Sequence, residues 1–511
     1  LLGNRIPIGE VNEFIFIDCG QTSILGRMVK VWLENGERLS VDNLDEHYPN
    51  NNPIGLVQLL VSVDVETGFN HRGIRQYPKL GAQIYSAHPK LVSLLAEGKL
   101  ANAEEELQLP IAEIPNDPSV TIHLTPEKLF ARHCAILGST GGGKSYTMAN
   151  LINNVKKHGG KVLLLDATGE YENLPCESYY VGENPRANDQ NKVSYPHWMF
   201  TDSDIRALLR PSAGSQAPKL EEAIRSLKVL SFYSNQHCNL TIINGKNLKK
   251  AEETKQNFED AIKLINTPFS EISWDFSALA DQIIEECVHP GYGDGSKWGK
   301  KVDNDIGYCL NLISRIKAMQ NNPYLKWMLD YESNIVDNLC SNTQSSLIRL
   351  DLSSVPFEAN AREILVNTIG RKLLDCARKS NISYENPLLV FIDESHQFLN
   401  KSIGDEISKM NLTAFGDIAK EGRKYGLNIV MATQRARDIP EDVLSQIGTL
   451  IVHRFTNEKD QEIVKKAVGS IDNRSASFLP VLGQGEALLL GVDFPFPMKV
   501  KIKQPESPPQ S

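Results

Sequence analysis

The sequence predicts an α/β protein built on a parallel sheet with crossover helices, preceded by a small β domain and interrupted by a helical insertion. Three observations lead to this prediction. Short apolar runs separated by Gly, Asn and Pro fill residues 1–120, as in small barrels and sandwiches. From residue 121, buried apolar runs alternate with helical patterns, which is typical of parallel sheets. Between residues 201 and 340, apolar residues recur every three or four positions, which favours helices.

These changes of pattern divide the 511 residues into five segments. They are an N-terminal β-barrel (1–120), the first part of the α/β core (121–200), the helical insertion (201–340), the second part of the core (341–490) and a C-terminal tail (491–511). Residues 504–511 are rich in Pro and Ser, so we expect them to be disordered unless a neighbouring element orders them.

The composition is that of a globular chain, and it narrows the range of functions. Asp and Glu outnumber Lys and Arg by 63 to 54, giving a net charge of −9, so any contact with nucleic acid has to be a local basic lining. No apolar run approaches about 18 residues, which argues against a membrane-spanning helix. The eight cysteines include no CxxC pair, which argues against zinc or disulfide frameworks and favours a reducing cytoplasm. No signal-peptide pattern is seen at the N-terminus.

The strongest motif is GxxxxGK[ST] at residues 138–145, which follows an apolar strand pattern and precedes a helical one. Glycines let successive backbone N–H groups turn toward a phosphate, and the following helix points its N-terminus at the same charge. Lys144 is expected to reach the β- and γ-phosphates, and the Ser145 hydroxyl to bind Mg²⁺. The predicted nucleotide-binding residues are Gly138, Ser139, Thr140, Gly141, Gly142, Gly143, Lys144, Ser145 and Tyr146.

A second element places two carboxylates, Asp393 and Glu394, directly after the apolar run at residues 388–392. Ligands collect at this end of the strands in open α/β sheets. Asp393 is expected to hold the Mg²⁺ shell, and Glu394 to polarise an attacking water. Such a pair can be merely a solvated turn. Together with the phosphate loop, however, it predicts a nucleoside-triphosphate hydrolase and not only a nucleotide binder.

Three further residues each admit a functional and a plain structural interpretation. Asp166 ends the next predicted strand and is either a second carboxylate near the nucleotide or a turn-forming residue. Arg423 lies where a helical pattern ends; it either complements the helix dipole or reaches a neighbouring subunit's γ-phosphate as an arginine finger. Gln434 follows the strand pattern at residues 427–431, where it either senses γ-phosphate and orients water or satisfies a loop.

Taken together, five segments resemble the HerA family of hexameric ATPases, which are related to the FtsK DNA pumps. The segments are residues 132–145, 166–171, 393–396, 421–426 and 432–435. They follow the family's order and approximate spacing, and the resemblance extends from about residue 120 to 490, with a looser one to the family's β-barrel before it. Asp166-Ala-Thr-Gly departs from the usual Asp-x-His-Gly, which lowers the weight of that loop.

The resemblance implies a RecA-like P-loop ATPase core in a homohexameric ring, with ATP and Mg²⁺ between subunits and double-stranded DNA in the central channel. It implies that Asp393 and Glu394 form the Walker B pair and that Arg423 acts in trans. It also implies that Gln434 belongs to the sensor strand and that Arg132 lies near the nucleotide. The implied catalytic residues are Glu394, Lys144, Arg423 and Gln434, with Ser145 and Asp393 on the metal and Asp166 and Arg132 among the nucleotide-binding residues.

The function that this resemblance favours is an ATP-dependent double-stranded DNA translocase or helicase in the cytoplasm, working with an effector enzyme. The effector would be a nuclease or a Sir2-like enzyme, in DNA processing or anti-phage defence. The alternative is an ATP-regulated ring that docks and activates an effector without travelling on DNA. A membrane-anchored pump is disfavoured by the lack of a spanning segment. Lys401 and Lys409 are candidate DNA contacts by position alone, and solvated lysines are the plainer interpretation.

Overall fold

The computed structural model describes residues 10–33, 53–98, 107–188, 191–233, 239–291, 293–323, 325, 347–379, 382–383, 385–399, 401–404, 409–468, 476 and 478–510. The chain divides into two compact units, the first formed by residues 1–157 and 430–509, the second by 158–429 and 510–511. No described helix is both long enough and apolar enough to cross a lipid bilayer.

The strands are β1 (Phe14–Asp18), β2 (Thr22–Leu33), β3 (Pro53–Asp64), β4 (Asn70–Arg72), β5 (Ile84–Ser86), β6 (Leu109–Ile114), β7 (Asp117–Leu124), β8 (Cys134–Leu137), β9 (Lys161–Asp166), β10 (Glu177–Val181), β11 (Lys192–Val193), β12 (Ile242–Ile243), β13 (Asn247–Leu248), β14 (Leu347–Asp351), β15 (Leu388–Ile392), β16 (Ser402–Ile403), β17 (Met410–Asn411), β18 (Leu427–Thr433), β19 (Thr449–Val452), β20 (Glu486–Gly491) and β21 (Met498–Ile502). The helices are α1 (Pro89–Glu97), α2 (Pro126–Phe130), α3 (Lys144–Lys157), α4 (Asp202–Leu209), α5 (Gln216–Tyr233), α6 (Lys255–Leu264), α7 (Leu279–Glu286), α8 (Asp303–Gln320), α9 (Ala361–Arg378), α10 (Ala414–Glu421), α11 (Glu441–Leu444) and α12 (Glu458–Val468).

The N-terminal strands form an antiparallel sheet in the order β4-β3-β2-β1-β5. Its core includes Ile15, Ile17 and Ile24, which lie on one face because side chains alternate along a strand. Among the described residues, the pairings leave β4 and β5 at the two edges of the sheet. The small β domain is therefore present, while its closure into a barrel stays a prediction.

In the core of the first unit, β8 is flanked by β18 and β19, and both run parallel to it. Beyond β19, the strands β20, β21, β6 and β7 continue the sheet with antiparallel pairings. β8 is completely buried, as expected for a parallel strand covered on both faces. The α/β class is thus confirmed, with a mixed sheet.

The second unit contains a parallel sheet in the order β11-β10-β14-β9-β15. The predicted helices of residues 201–340 are found as α4 to α8, with the small hairpin β12–β13 between α5 and α6. Helix α4 begins with a capping box in which Thr201 and Asp204 satisfy each other's backbone N–H groups.

Two parts of the chain pair differently from the predicted division. β6 lies within the predicted β-barrel segment, yet it pairs with β21 of the core sheet. β21 itself lies within residues 491–511, which we predicted as a tail, and its buried Met498, Val500 and Ile502 alternate with lysines. That alternation is the ordinary pattern of a half-buried strand.

The Pro- and Ser-rich end is ordered by helix α3 of the first unit. Asn150 Nδ2 donates a hydrogen bond to the Lys503 carbonyl at 2.9 Å, and Lys157 Nζ lies 2.7 Å from Glu506 Oε1. Pro505 is buried. The end of the chain therefore packs on the helix that follows the phosphate-binding motif.

Candidate nucleotide-binding site

In the first unit, the phosphate loop at residues 138–143 joins the C-terminal end of β8 to helix α3. The Gly138 N–H donates to the Thr433 carbonyl at 3.3 Å. The Ser139 N–H and hydroxyl both donate to the Arg454 carbonyl, at 2.9 Å and 2.8 Å. The loop is therefore held by the ends of the two strands that flank β8.

At two positions of the loop, the buried side chain of His453 lies so close that glycine is needed. A Cβ atom at Gly138 would lie 2.6 Å from the His453 Cβ, which is far inside van der Waals contact. At Gly143 the backbone has a φ of 116°, and a Cβ atom there would lie 3.1 Å from His453 Cε1. Only glycine permits this backbone at such a distance.

Lys144 and Gln434 both lie at the loop. The buried Lys144 side chain donates from Nζ to the Ser139 carbonyl at 3.2 Å. The Thr140 hydroxyl donates to Gln434 Oε1 at 2.5 Å. The structure therefore brings the predicted sensor residue to the predicted phosphate loop, within one unit.

Arg132 lies elsewhere in this unit. It is exposed and precedes β8, whereas the phosphate loop follows β8, so the two lie at opposite ends of the strand. The Arg132 carbonyl accepts a hydrogen bond from the Gly448 N–H at 2.6 Å. The expectation that Arg132 lies near the nucleotide stays a prediction.

In the second unit, the predicted Walker B residues Asp393 and Glu394 directly follow β15. Asp393 is only 5% exposed. Burial, followed by the charges of Glu394, Asp166 and Glu170, raises the pKa of Asp393 to about 8. Glu394 has a left-handed backbone (φ 45°), rare for a residue other than glycine, and its Oε2 lies 3.2 Å from His396 Nδ1.

This concentration of negative charge fits a divalent cation. Among the described residues, no group of three or more His, Cys, Asp or Glu is arranged as a complete metal site. Mg²⁺ commonly takes only one or two carboxylates and completes its shell with phosphate oxygens and water. A cation at Asp393 would offset the burial and the repulsion that raise its pKa, so Asp393 suits the metal-binding role expected of it, while the role of Ser145 stays a prediction.

Asp166, by contrast, uses its carboxylate within the protein. Its side chain is fully buried, and it accepts hydrogen bonds from Arg349 Nε at 2.7 Å, the Gly169 N–H at 2.7 Å and the Tyr171 N–H at 3.2 Å. The expectation that Asp166 contacts the nucleotide is not supported by this geometry. The Thr168 hydroxyl lies between the two carboxylates, 3.1 Å from Asp393 Oδ2 and 3.5 Å from Asp166 Oδ1.

Arg349 completes this buried group, and the sequence analysis did not single it out. Its side chain is fully buried between Asp166 and Asp351, with Nη2 at 2.6 Å from Asp351 Oδ2. Asp351 in turn accepts hydrogen bonds from the Ser353 N–H and hydroxyl. The signal for Arg349 was a charged residue inside an otherwise apolar strand pattern, since a charge buried in a sheet needs a partner.

Arg423 lies in the second unit, on the single turn Gly422–Tyr425 that links α10 to β18. The residue is exposed, and the turn closes at Gly426 in a left-handed conformation. Arg423 therefore precedes β18, while Gln434 follows it. The predicted roles of Arg423 and Gln434 in catalysis stay predictions.

The phosphate loop at the end of a buried parallel strand, together with an Asp-Glu pair that directly follows another buried strand, defines a P-loop ATPase. The family model described as the central domain of the helicase HerA matches residues 109–373, and the HerA-like C-terminal model matches residues 383–506. The chain belongs to the HerA helicase family.

Relatives match over most of the chain at low identity. A probable helicase of Methanocaldococcus jannaschii is 24% identical, covering 96% of this chain and 86% of that protein. The DNA double-strand break repair helicase HerA of Saccharolobus solfataricus is 26% identical, covering 73% of this chain and 64% of that protein. Among solved structures, VirB4 of Thermoanaerobacter pseudethanolicus is similar at 15% identity and a TM-score of 0.49, covering 79% of this chain and 97% of that one.

Proposed function

We propose that this ATPase is a motor that translocates on double-stranded DNA as a homohexameric ring in the cytoplasm. The observation that supports the proposal best is the buried Asp393, followed by Glu394, in a chain of the HerA helicase family that also has a complete phosphate loop. A pair of this kind supplies a metal ligand and a base, so the chain is equipped to hydrolyse ATP as well as to bind it.

In this proposal each residue has a separate task in hydrolysis. Lys144 and the loop N–H groups bind the phosphates, while Ser145 and Asp393 hold Mg²⁺, which neutralises charge on the phosphate oxygens when bound. Glu394 accepts a proton from the attacking water, and Gln434 orients that water or senses the γ-phosphate. The hydrogen bond from Thr168 supports the orientation of Asp393.

We propose that Arg423 acts on the ATP of a neighbouring subunit. Its exposure on a turn outside the sheet supports this role, because an arginine finger has to leave its own subunit. Contacts of this head-to-tail kind close into rings when the rotation between subunits permits.

Mixed rings test the trans role of Arg423. Doping Arg423→Ala subunits into wild-type protein is expected to lower ATPase activity in proportion to the variant fraction, because each variant silences one neighbouring site. Mixing Arg423→Ala with Lys144→Ala subunits should restore part of the activity, because an intact phosphate loop then lies beside an intact trans arginine. The variant's own site should still bind ATP. Lys424→Ala, which removes the adjacent exposed cation, is the matched control and should leave activity unchanged. Activity that stays constant across the Arg423→Ala series would contradict the assignment.

DNA contact should be directed at phosphates and independent of sequence. Of the two candidate lysines, Lys401 lies 4.0 Å from the buried carboxylate of Glu363, whereas Lys409 is exposed beside β17. Lys401 directly precedes β16 and Lys409 directly precedes β17, its antiparallel partner, and residues 405–408 lie outside the described part of the chain. Because Lys401 lies beside a carboxylate, we favour Lys409.

Triplex displacement tests the motor directly. The wild-type ring should remove a third strand from a DNA duplex when ATP is supplied, and Lys144→Ala should abolish removal because it cannot bind the phosphates. Lys156→Ala, an exposed lysine on the same helix, is the matched control. ATP hydrolysis without displacement would favour the alternative, a ring that docks and activates an effector without travelling. A partnership with a nuclease or Sir2-like effector, in DNA processing or anti-phage defence, stays a prediction.

A further inference from the structure

The structure assigns a role to His453, the residue that follows β19: we propose that it is a positioning residue that shapes the phosphate loop for ATP. The inference rests on ATP binding and hydrolysis alone, so it stands or falls independently of travel on DNA. All the groups involved belong to the first unit.

The phosphate loop is formed against His453, with Gly138 and Gly142 next to its Cβ atom and Gly143 next to its imidazole ring. His453 is fully buried. A Cβ atom at Gly138 would collide with the His453 Cβ, while one at Gly143 would lie 3.1 Å from Cε1 and one at Gly142 would lie 3.3 Å from the Cβ, both closer than ordinary van der Waals contact. The backbone of His453 is also fixed, since its N–H donates to the Leu137 carbonyl at 2.7 Å.

Hydrogen bonding defines the tautomer of the ring. His453 Nδ1 lies 2.9 Å from the Glu486 carbonyl oxygen, which can only accept, so Nδ1 carries the proton. Nε2 lies 2.8 Å from the Thr147 hydroxyl. Burial and, to a smaller extent, the charge of Lys144 lower the pKa of His453 to about 4. The ring is therefore neutral at pH 7, and Nε2 is an acceptor.

This tautomer decides where the single proton of Thr147 goes. The Thr147 hydroxyl lies 3.0 Å from the Gly143 carbonyl as well as 2.8 Å from Nε2. A neutral ring with its proton on Nδ1 makes Nε2 an acceptor for that hydroxyl. Thr147 stands in the first turn of α3, two residues after Ser145 and three after Lys144. The His453 imidazole thus connects the end of β19 and the start of β20 to the first turn of α3, which carries the phosphate-binding side chains.

A satisfied core histidine is the plain alternative, and it predicts a different experimental result. Loss of simple packing would lower thermal stability and leave the affinity for ATP unchanged. Loss of a positioning contact would raise the KM for ATP, because the loop would have to adopt its phosphate-binding shape at the expense of binding energy.

Three variants at two buried threonines distinguish the cases. Thr147→Val keeps the shape and removes the hydroxyl, and it is expected to raise the KM for ATP about tenfold, as the loss of one buried hydrogen bond does. Thr147→Ser keeps the hydroxyl and should stay within twofold of wild type. Thr125→Val removes another buried hydroxyl, one that caps helix α2, and should lower the Tm without changing the KM.

His453→Leu completes the test in full-length protein without DNA. Its KM should rise at least as much as that of Thr147→Val, and the double variant should be no worse than His453→Leu alone, because both changes break the same contact. ADP affinity measured by calorimetry gives the same comparison without turnover. A KM within twofold of wild type for Thr147→Val, with only its Tm reduced, would overturn the proposal even if His453→Leu does not fold.

Discussion

Replacing Glu394 with Gln is expected to lower ATP turnover by two to four orders of magnitude, the range that a lost general base produces. The amide has the size and shape of the carboxylate but cannot take a proton from water. ATP binding should be retained, since the phosphate loop and Asp393 are unchanged. Glu394 also contributes to the raised pKa of Asp393, so its neutralisation should favour the ionised, metal-binding form of Asp393.

Single-turnover hydrolysis together with titration of a fluorescent ATP analogue measures the two properties separately. Glu385→Gln, an exposed residue in the turn before β15, is the matched control and should leave both unchanged. If Glu394→Gln hydrolyses ATP at the wild-type rate, the base lies elsewhere. If it loses ATP binding together with turnover, Glu394 is structural.

The Glu394→Gln variant also distinguishes the two proposed functions, a motor that travels on DNA and a platform that docks and activates an effector without travelling. A ring that binds ATP without hydrolysing it can still assemble and hold an effector, but it cannot travel. If the effector in a complex with Glu394→Gln subunits stays active, the platform is favoured. If the effector's activity is lost, the motor is favoured. The Arg423 doping series does not make this distinction, since it reports only on which subunit completes the site.

In open α/β sheets, ligands bind at the C-terminal ends of the strands. This strand-end rule explains which site residues could be predicted from the sequence and which could not. Asp393 and Gln434 were found because each follows a recognisable buried strand, and Gln434 lies against Thr140 of the phosphate loop. His453 occupies an equivalent position after residues 450–452, and the same rule would have found it. It was missed because a single histidine without a motif has no distinctive pattern.

Asp166 shows the limit of this rule: a carboxylate can be placed at a strand end from the sequence, but its binding partner cannot be identified. Its partner Arg349 is 183 residues away in sequence, on a strand that returns beside β9 only after the helical insertion. Local periodicity contains no information on this pairing, because register between distant strands is set by tertiary packing. The pairing of β6 with β21 escaped prediction for the same reason. The family resemblance, which depends on ordered motifs, was confirmed without any of these contacts.

The buried group around Arg349 leads to the largest expected change in stability. Arg349→Met preserves much of the side chain's volume but leaves Asp166 and Asp351 buried without their cation. Breaking a buried ion pair from one side costs about 3–5 kcal/mol, because the remaining charge is uncompensated. The Tm should fall by roughly 5–10 °C. Arg378→Met removes half-exposed ion pairs with Asp375 and Glu421, and should leave the Tm almost unchanged because exposed pairs contribute little.

A triple variant tests whether charge or packing is responsible. Adding Asp166→Asn and Asp351→Asn to Arg349→Met removes the uncompensated charges, and much of the lost Tm should return if charge causes the loss. ATPase activity should not return with it. Asp166 accepts hydrogen bonds from the Thr168 and Gly169 N–H groups, and Thr168 orients Asp393, so a displaced loop should raise the Mg²⁺ concentration needed for half-maximal turnover. A variant whose Tm and Mg²⁺ requirement both match wild type would show that Arg349 neither stabilises this unit nor supports the metal ligand.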